Sequence, residues 1–183
     1  LINFLLKDGH TVKVVDNLLY GPDSLLRYVG HENFSFDNVD VRRKDLLKPY
    51  VDKADVILPL ACLVGYPLCE KRPEEAKQVN YEINKWLADT KSNDQILIYP
   101  CTNSGYGVSE DGSVCTEDSP LNPISLYGIT KVDAEKAFQN SEGCTTLRLA
   151  TVFGPSSRAR SDLLVNNFVL KAMKDRVLVL YEC

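Results

Sequence analysis

The chain has 183 residues, 44% of them hydrophobic and 25% charged, which is ordinary for a globular protein and enough for one domain with a sizeable core. A net charge of −4 without a clustered basic patch excludes a nucleic-acid surface, and the short "RRK" at Arg42 to Lys44 reads as a solvated helix start. No stretch is long and uncharged enough to span a membrane, and none reads as a secretory signal; the longest apolar run, "VILPLACLVGYPLC", is broken by Pro59 and Pro67.

In chain order, "LINFLLKDGH" reads as the tail of a helix already under way, stopped at Gly9. The first residue is Leu1, and the chain is expected to be a piece of a longer protein. "HTVKVVD" is a short β-branched strand ending in Asp16. "NFSFDNVDV" alternates apolar and polar residues up to Val41, and "ADVILPLA" is a continuous apolar run, as expected of a strand covered on both faces. "PEEAKQVNYEINKWLADTK" opens on Pro73 and two acids and then carries apolar residues at helical spacing. "QILIYP" is a buried strand, "SLYGITKVDAEKAFQN" a helix and "CTTLRLA" a strand. "SDLLVNNFVLKAMKD" is a helix with Ser161 as its N-cap, and "RVLVL" a last strand.

Strands alternating with helices predict an α/β fold with a doubly wound, mainly parallel Rossmann-type sheet, truncated at the first strand. Ligands meet such sheets at the carboxyl ends of the strands, so chemistry is expected just after Asp16, Val41, Leu60, Pro100 and Ala150. The six cysteines, Cys62, Cys69, Cys101, Cys115, Cys144 and Cys183, show neither CxxC spacing nor alternation with histidine. No metal site is expected, and a reduced cytoplasmic setting fits them.

Asp16 stands where a dinucleotide fold puts its ribose-binding acid. A carboxylate there accepts both ribose hydroxyls and repels a 2′-phosphate, which selects NAD over NADP; the same residue also reads as a strand-end aspartate opening the turn "DNLLYG". The Gly-rich loop that holds a pyrophosphate on backbone amides is absent from the sequence, and truncation is its expected cause. Tyr127 and Lys131 lie one helical turn apart on one face. An ammonium favours the phenolate, so the pair can make a tyrosine into a base. Tyr81 and Lys85 repeat the spacing, but only Tyr127 has a hydroxyl, Thr102, at the end of the preceding buried strand; Tyr81 reads as a packing residue.

Thr102 in "TNSGYG", Tyr127 and Lys131 in "YGITK", and "LRLATVFGP" together resemble the extended short-chain dehydrogenase/reductase family of nucleotide-sugar epimerases and dehydratases, of the UDP-galactose 4-epimerase kind. The resemblance covers nearly the whole chain and implies one NAD-binding Rossmann-like domain over residues 1–183, incomplete at both ends, with the substrate-binding part beginning at about residue 151. It implies Asp16 and Asn17 at the adenosine ribose, Asp40 and Val41 at the adenine, Leu60 and Ala61 lining the cofactor with their backbone, and Asn80 near its pocket. Thr102, Tyr127 and Lys131 match the catalytic triad, Lys131 also holding the nicotinamide ribose, and Thr151 and Arg160 match substrate-binding positions. Arg160 equally reads as a surface arginine beside a helix start.

The sequence departs from the family's pattern at Pro59, where many relatives have His, and at Cys101, where Ser is common. Asn103 and Ser104 follow Thr102 where 4,6-dehydratases carry an Asp-Glu pair, which favours epimerisation over dehydration. The expected activity is NAD-dependent epimerisation of a nucleotide sugar through a transient keto intermediate. A reductase, dehydratase or decarboxylase of the same family, and a non-catalytic dinucleotide-binding scaffold, are the alternatives. The resemblance further implies a homodimer formed through the helices near residues 73–92 and 125–141, with no membrane or nucleic-acid partner.

Overall fold

Five short strands and eight helices make up the described residues, 1–108 and 114–180 of a computed structural model. Strands β1 (Val12–Asp16) and β2 (Phe34–Asn38) form one sheet. Strands β3 (Val56–Ile57), β4 (Ile96–Thr102) and β5 (Cys144–Leu149) form a second, in the order β3-β4-β5, with both pairs parallel. Helices α1 (Ile2–Lys7), α2 (Asp23–Leu26), α3 (Lys44–Val51), α4 (Tyr66–Lys71), α5 (Pro73–Lys77), α6 (Ile83–Thr90), α7 (Leu126–Gln139) and α8 (Leu164–Lys174) connect them. Parallel strands joined through helices give the Rossmann-type class that the alternation predicts.

The chain divides into two compact units. One comprises Lys13–Asn17 and Phe36–Ala150; the other comprises Leu1–Val12, Leu18–Ser35 and the described part of Thr151–Cys183. In the smaller unit Gly9, at φ 83°, ends α1, and the rings of Tyr28 and Phe34 lie 5.5 Å apart. None of the residues of α8 is buried.

The core of the larger unit follows from period two on β4. Leu97, Tyr99 and Cys101 alternate onto one face and are buried there under Ile83 and Leu87 of α6 and Ala134 and Phe138 of α7, with Leu47 and Val51 of α3. Tyr81 packs against this cluster as the sequence suggests. A second cluster, Leu63, Cys69, Ala76 and Val79, gathers Val41, Ala61 and Tyr127 around it.

Four expectations are corrected. The run "ADVILPLA" contributes only the two residues of β3, because β4 pairs it on one side alone and Pro59 has no N–H for a ladder. Residues 176–180 form no strand: Arg176 turns the chain at φ 56°, and no strand among the described residues pairs with them. Helix α8 begins after Leu163, not at Ser161, whose carbonyl instead accepts from Asn167 Nδ2 at 3.1 Å. The helix after Pro73 is interrupted by a π-turn, Gln78–Glu82, between α5 and α6. Cys62, Cys69, Cys101, Cys115 and Cys144 are free thiols, and Cys183 lies outside the described residues.

One buried ion pair ties α7 to the sheet. Arg148 Nε donates to both carboxylate oxygens of Glu135, at 3.0 and 3.1 Å, with the Glu135 side chain 2% exposed. Thr146 Oγ1 at 3.0 Å and Cys101 Sγ at 3.4 Å complete the carboxylate's partners. Arg148 also reaches Tyr106 Oη at 3.1 Å and the Glu117 carbonyl at 2.8 Å. Truncating one partner strands the other charge. Arg148→Ala is therefore expected to lose about 3 kcal/mol in denaturant unfolding, and the double change Arg148→Met with Glu135→Leu to recover most of it.

Candidate active site

Two close approaches build the site around the ends of β4 and the start of α7. The Ser125 Oγ caps α7 by accepting from Gly128 N at 3.1 Å. A Cβ on Gly128 would lie 3.1 Å from Pro123 Cβ and 3.3 Å from the Ser104 carbonyl, and a Cβ on Gly105 would lie 2.8 Å from Val132 Cγ2 on α7. These two glycines let the 3-10 turn Asn103–Tyr106, which follows Thr102, sit against the first turns of α7.

Thr102 and Tyr127 thereby come together: the Thr102 side chain lies close enough to the Tyr127 phenol to favour its ionised form. The Thr102 hydroxyl also bonds Ser104 Oγ at 3.1 Å and accepts from Ser104 N at 3.2 Å. Burial is the largest influence on Tyr127 and pushes the phenol up to about 12; Cys62 adds to the rise, and the neighbouring Thr102 side chain opposes it. The sequence leads one to expect a lowered phenol, and desolvation outweighs that expectation in the protein alone.

Lys131 is 4% exposed and projects under the helix onto β4, where its Nζ lies 4.0 Å from the centroid of the Tyr99 ring. Burial lowers its pKa, while the nearby Cys62 and Cys101 thiols work the other way. Both thiols are themselves raised by burial, to about 11 for Cys62 and about 12 for Cys101, so neither is charged near neutral pH.

Asn80 acts on the backbone. It is 1% exposed, accepts from Leu63 N at 2.8 Å and donates to the Leu63 carbonyl at 3.1 Å, clamping the segment after β3. Its Nδ2 also lies 3.5 Å from Thr130 Oγ1, which in turn donates to the Tyr127 carbonyl at 3.0 Å. The π-turn makes this geometry possible, and Asn84 Nδ2 serves the carbonyls that the turn leaves open, Val79 at 3.3 Å and Asn80 at 3.0 Å.

The remaining strand-end residues of the larger unit fall together. Asp16, exposed, ends β1, and its carbonyl accepts from Val39 N at 3.1 Å. The Asp40 carboxylate is held mainly by Arg42 and lies below the usual carboxylate range for that reason, with Asn17 adding a smaller influence in the same direction. Leu60 and Ala61 follow β3 and border a cavity of about 180 Å³, walled by Lys13 and Val15 of β1 on one side and the β3 segment on the other. Thr151 and Arg160 belong to the smaller unit. Thr151 is exposed there, and the Arg160 guanidinium is engaged by both carboxylate oxygens of Asp162, at 2.7 and 2.6 Å.

Gly105, Gly128, Tyr99, Glu135 and Arg148 shape this site without having been singled out in the sequence. Glu135 had a readable signal, four residues beyond Lys131 on the same helix. Tyr99 had one as well, two residues before Cys101 in a strand whose alternate residues face inward.

Residues 1–182 match the model of the NAD dependent epimerase/dehydratase family. UDP-glucuronic acid decarboxylase 1 of Xenopus tropicalis is 29% identical over 99% of this chain and 44% of its own length. The uncharacterized UDP-glucose epimerase YtcB of Bacillus subtilis is 27% identical over 97% of this chain and 59% of its own. The structure of WbmG from Bordetella bronchiseptica in complex with NAD matches with a TM-score of 0.79 and 25% identity, covering 95% of this chain and 55% of that one. The chain spans about half the length of the curated relatives it matches. With the family model matched along all but one of its residues, the chain belongs to the NAD-dependent epimerase/dehydratase family.

Proposed function

We propose that the protein is an NAD-dependent nucleotide-sugar epimerase of the 4-epimerase type, with Tyr127 as its base. The observation that supports this reading is the approach of Thr102 to Tyr127 where the turn after β4 packs against the start of α7 at Gly105 and Gly128. Asp16, Asn17, Asp40, Val41, Leu60, Ala61 and Asn80 fit the adenosine half and the wall of a dinucleotide site. They offer an exposed carboxylate at a strand end, apolar Val41 and Ala61 packed against one cluster, and a backbone segment fixed by Asn80. NAD, when bound, supplies reversible hydride acceptance and a positive ring.

The residues do the rest. Tyr127 takes the proton of the sugar hydroxyl, Thr102 passes it along its hydroxyl, and Lys131 supplies the positive charge that makes a phenolate tenable. The resulting ketone turns over in the site and is reduced on its other face. Since the phenol of the protein alone lies near 12, the phenolate fraction rises with pH, and so does the rate on its acid limb. Asn103 and Ser104, the first residues of a tight turn beside Thr102, provide no acid–base pair for eliminating water. Thr151 and Arg160 contact the substrate in this reading, Arg160 exchanging Asp162 for a phosphate. A homodimer through the helices near residues 73–92 and 125–141 and a cytoplasmic location belong to the same proposal; no helix among the described residues is long and apolar enough to cross a membrane.

A decarboxylase is the second reading, favoured by the 29% identity to UDP-glucuronic acid decarboxylase 1. Incubating the full-length protein with UDP-glucose and with UDP-glucuronic acid separates the two: epimerisation leaves product mass and NADH unchanged, whereas loss of carbon dioxide establishes the second. Tyr127→Phe in the full-length protein is expected to cut turnover by about a hundredfold or more with NAD binding retained; near-normal turnover would refute the base assignment. Asp16→Ala is expected to weaken NAD binding by about tenfold, as for a lost charge-assisted hydrogen bond, with little change for NADP, measured by calorimetry.

A further inference from the structure

An ammonium ion in a dry environment needs a partner, and the usual one is a carboxylate. Among the described residues none pairs with Lys131. Glu135 stands one turn further along α7, the position from which a carboxylate normally reaches back to a lysine. Its two oxygens are instead occupied by Arg148, Thr146 and Cys101. What Lys131 has is the face of Tyr99, 4.0 Å from its Nζ. That ring is fully buried in the middle of β4 and fixed by Phe138, with ring centroids 4.9 Å apart.

The difference between these partners decides the chemistry. A carboxylate stabilises the ammonium but cancels its field at a neighbouring phenol. A ring face stabilises it through the quadrupole and leaves the full positive charge in place. The hydroxyl of Tyr99 makes no hydrogen bond among the described residues, so the contribution of this side chain to Lys131 lies in its face. Resting on the roles given above to Tyr127 and Lys131, we propose that Tyr99 is a positioning residue of the site: its ring holds Lys131 charged and in place one helical turn from Tyr127, while Arg148 keeps Glu135 from neutralising it.

The titratable groups facing this lysine are Cys62 from the segment after β3 and Tyr99 and Cys101 from β4; Tyr127 and Glu135 of α7 lie around the same Tyr99, with Arg148 of β5 on Glu135. Burial disfavours the charged form of Lys131 and lowers its pKa.

The test varies the ring's electrons and leaves its shape. In the full-length protein, Tyr99 is replaced by Phe and then by 4-fluoro- and 3,4,5-trifluorophenylalanine, whose faces are progressively less negative. The Lys131 ammonium is followed by NMR of 13Cε-labelled lysine, assigned against Lys131→Met. Its pKa is expected to fall stepwise, by about one unit across the series, and the acid limb of kcat/KM to move to higher pH in the same order, with Tm unchanged. Phe itself is expected to retain the wild-type profile. A lysine pKa that does not respond to fluorination, or an acid limb that stays fixed while the pKa falls, overturns the proposal. Tyr127→Phe, run alongside, keeps the two readings apart: normal turnover there overturns the base assignment, whereas a lost limb there with an unresponsive lysine overturns only the role of Tyr99.

Discussion

The contact of the buried Lys131 with the face of Tyr99, with no carboxylate partner for the lysine among the described residues, sits at the centre of the larger unit. Lys131 could be silenced by its own helix, since Glu135 follows it by one turn. Arg148 prevents this from β5. The same contact anchors α7 to the sheet, so the feature that frees the lysine also fixes the tyrosine's helix. On the proposed reading, one pair of side chains serves both stability and chemistry.

The strands around it explain why the residues gather at one end. β3, β4 and β5 run parallel and in register, so each ends on the same side, and helices must carry the chain back to start the next. Thr102 closes β4, Ala61 follows β3, and α7 enters from the same side. Toward β1 the arrangement is open. The cavity between the β1 and β3 segments is walled by Val15, Val56, Ile57 and Leu58, residues apolar enough for a sheet interior.

Much of this was legible in the sequence, and for definite reasons. β4 was readable because its short run is almost wholly apolar, with alternate residues buried, and α7 because its apolar residues recur at helical spacing. The Thr102 and Tyr127 meeting was legible from order alone, a hydroxyl at a strand end one loop before a helix. The extent of β3 and the fate of "RVLVL" were not, because a strand exists only where a partner pairs with it and a pairing partner is not a local property. The raised phenol of Tyr127 was not legible for a similar reason: spacing reveals a lysine one turn away but not the burial that governs the tyrosine. Gly105 and Gly128 stayed hidden because close approach is visible only when both surfaces are known.

The π-turn at Gln78–Glu82 has a bearing on how this protein tolerates change. Each residue of an α-helix advances the following side chains by about 100° around the axis. The wide turn absorbs one residue, so Asn80 points at Leu63 while Ile83 and Leu87 still face the sheet. Deleting a single amino acid there to straighten the coil would swing one of these two sets away from its target. The irregularity is thus a phase adjuster, holding two faces of one rod in step.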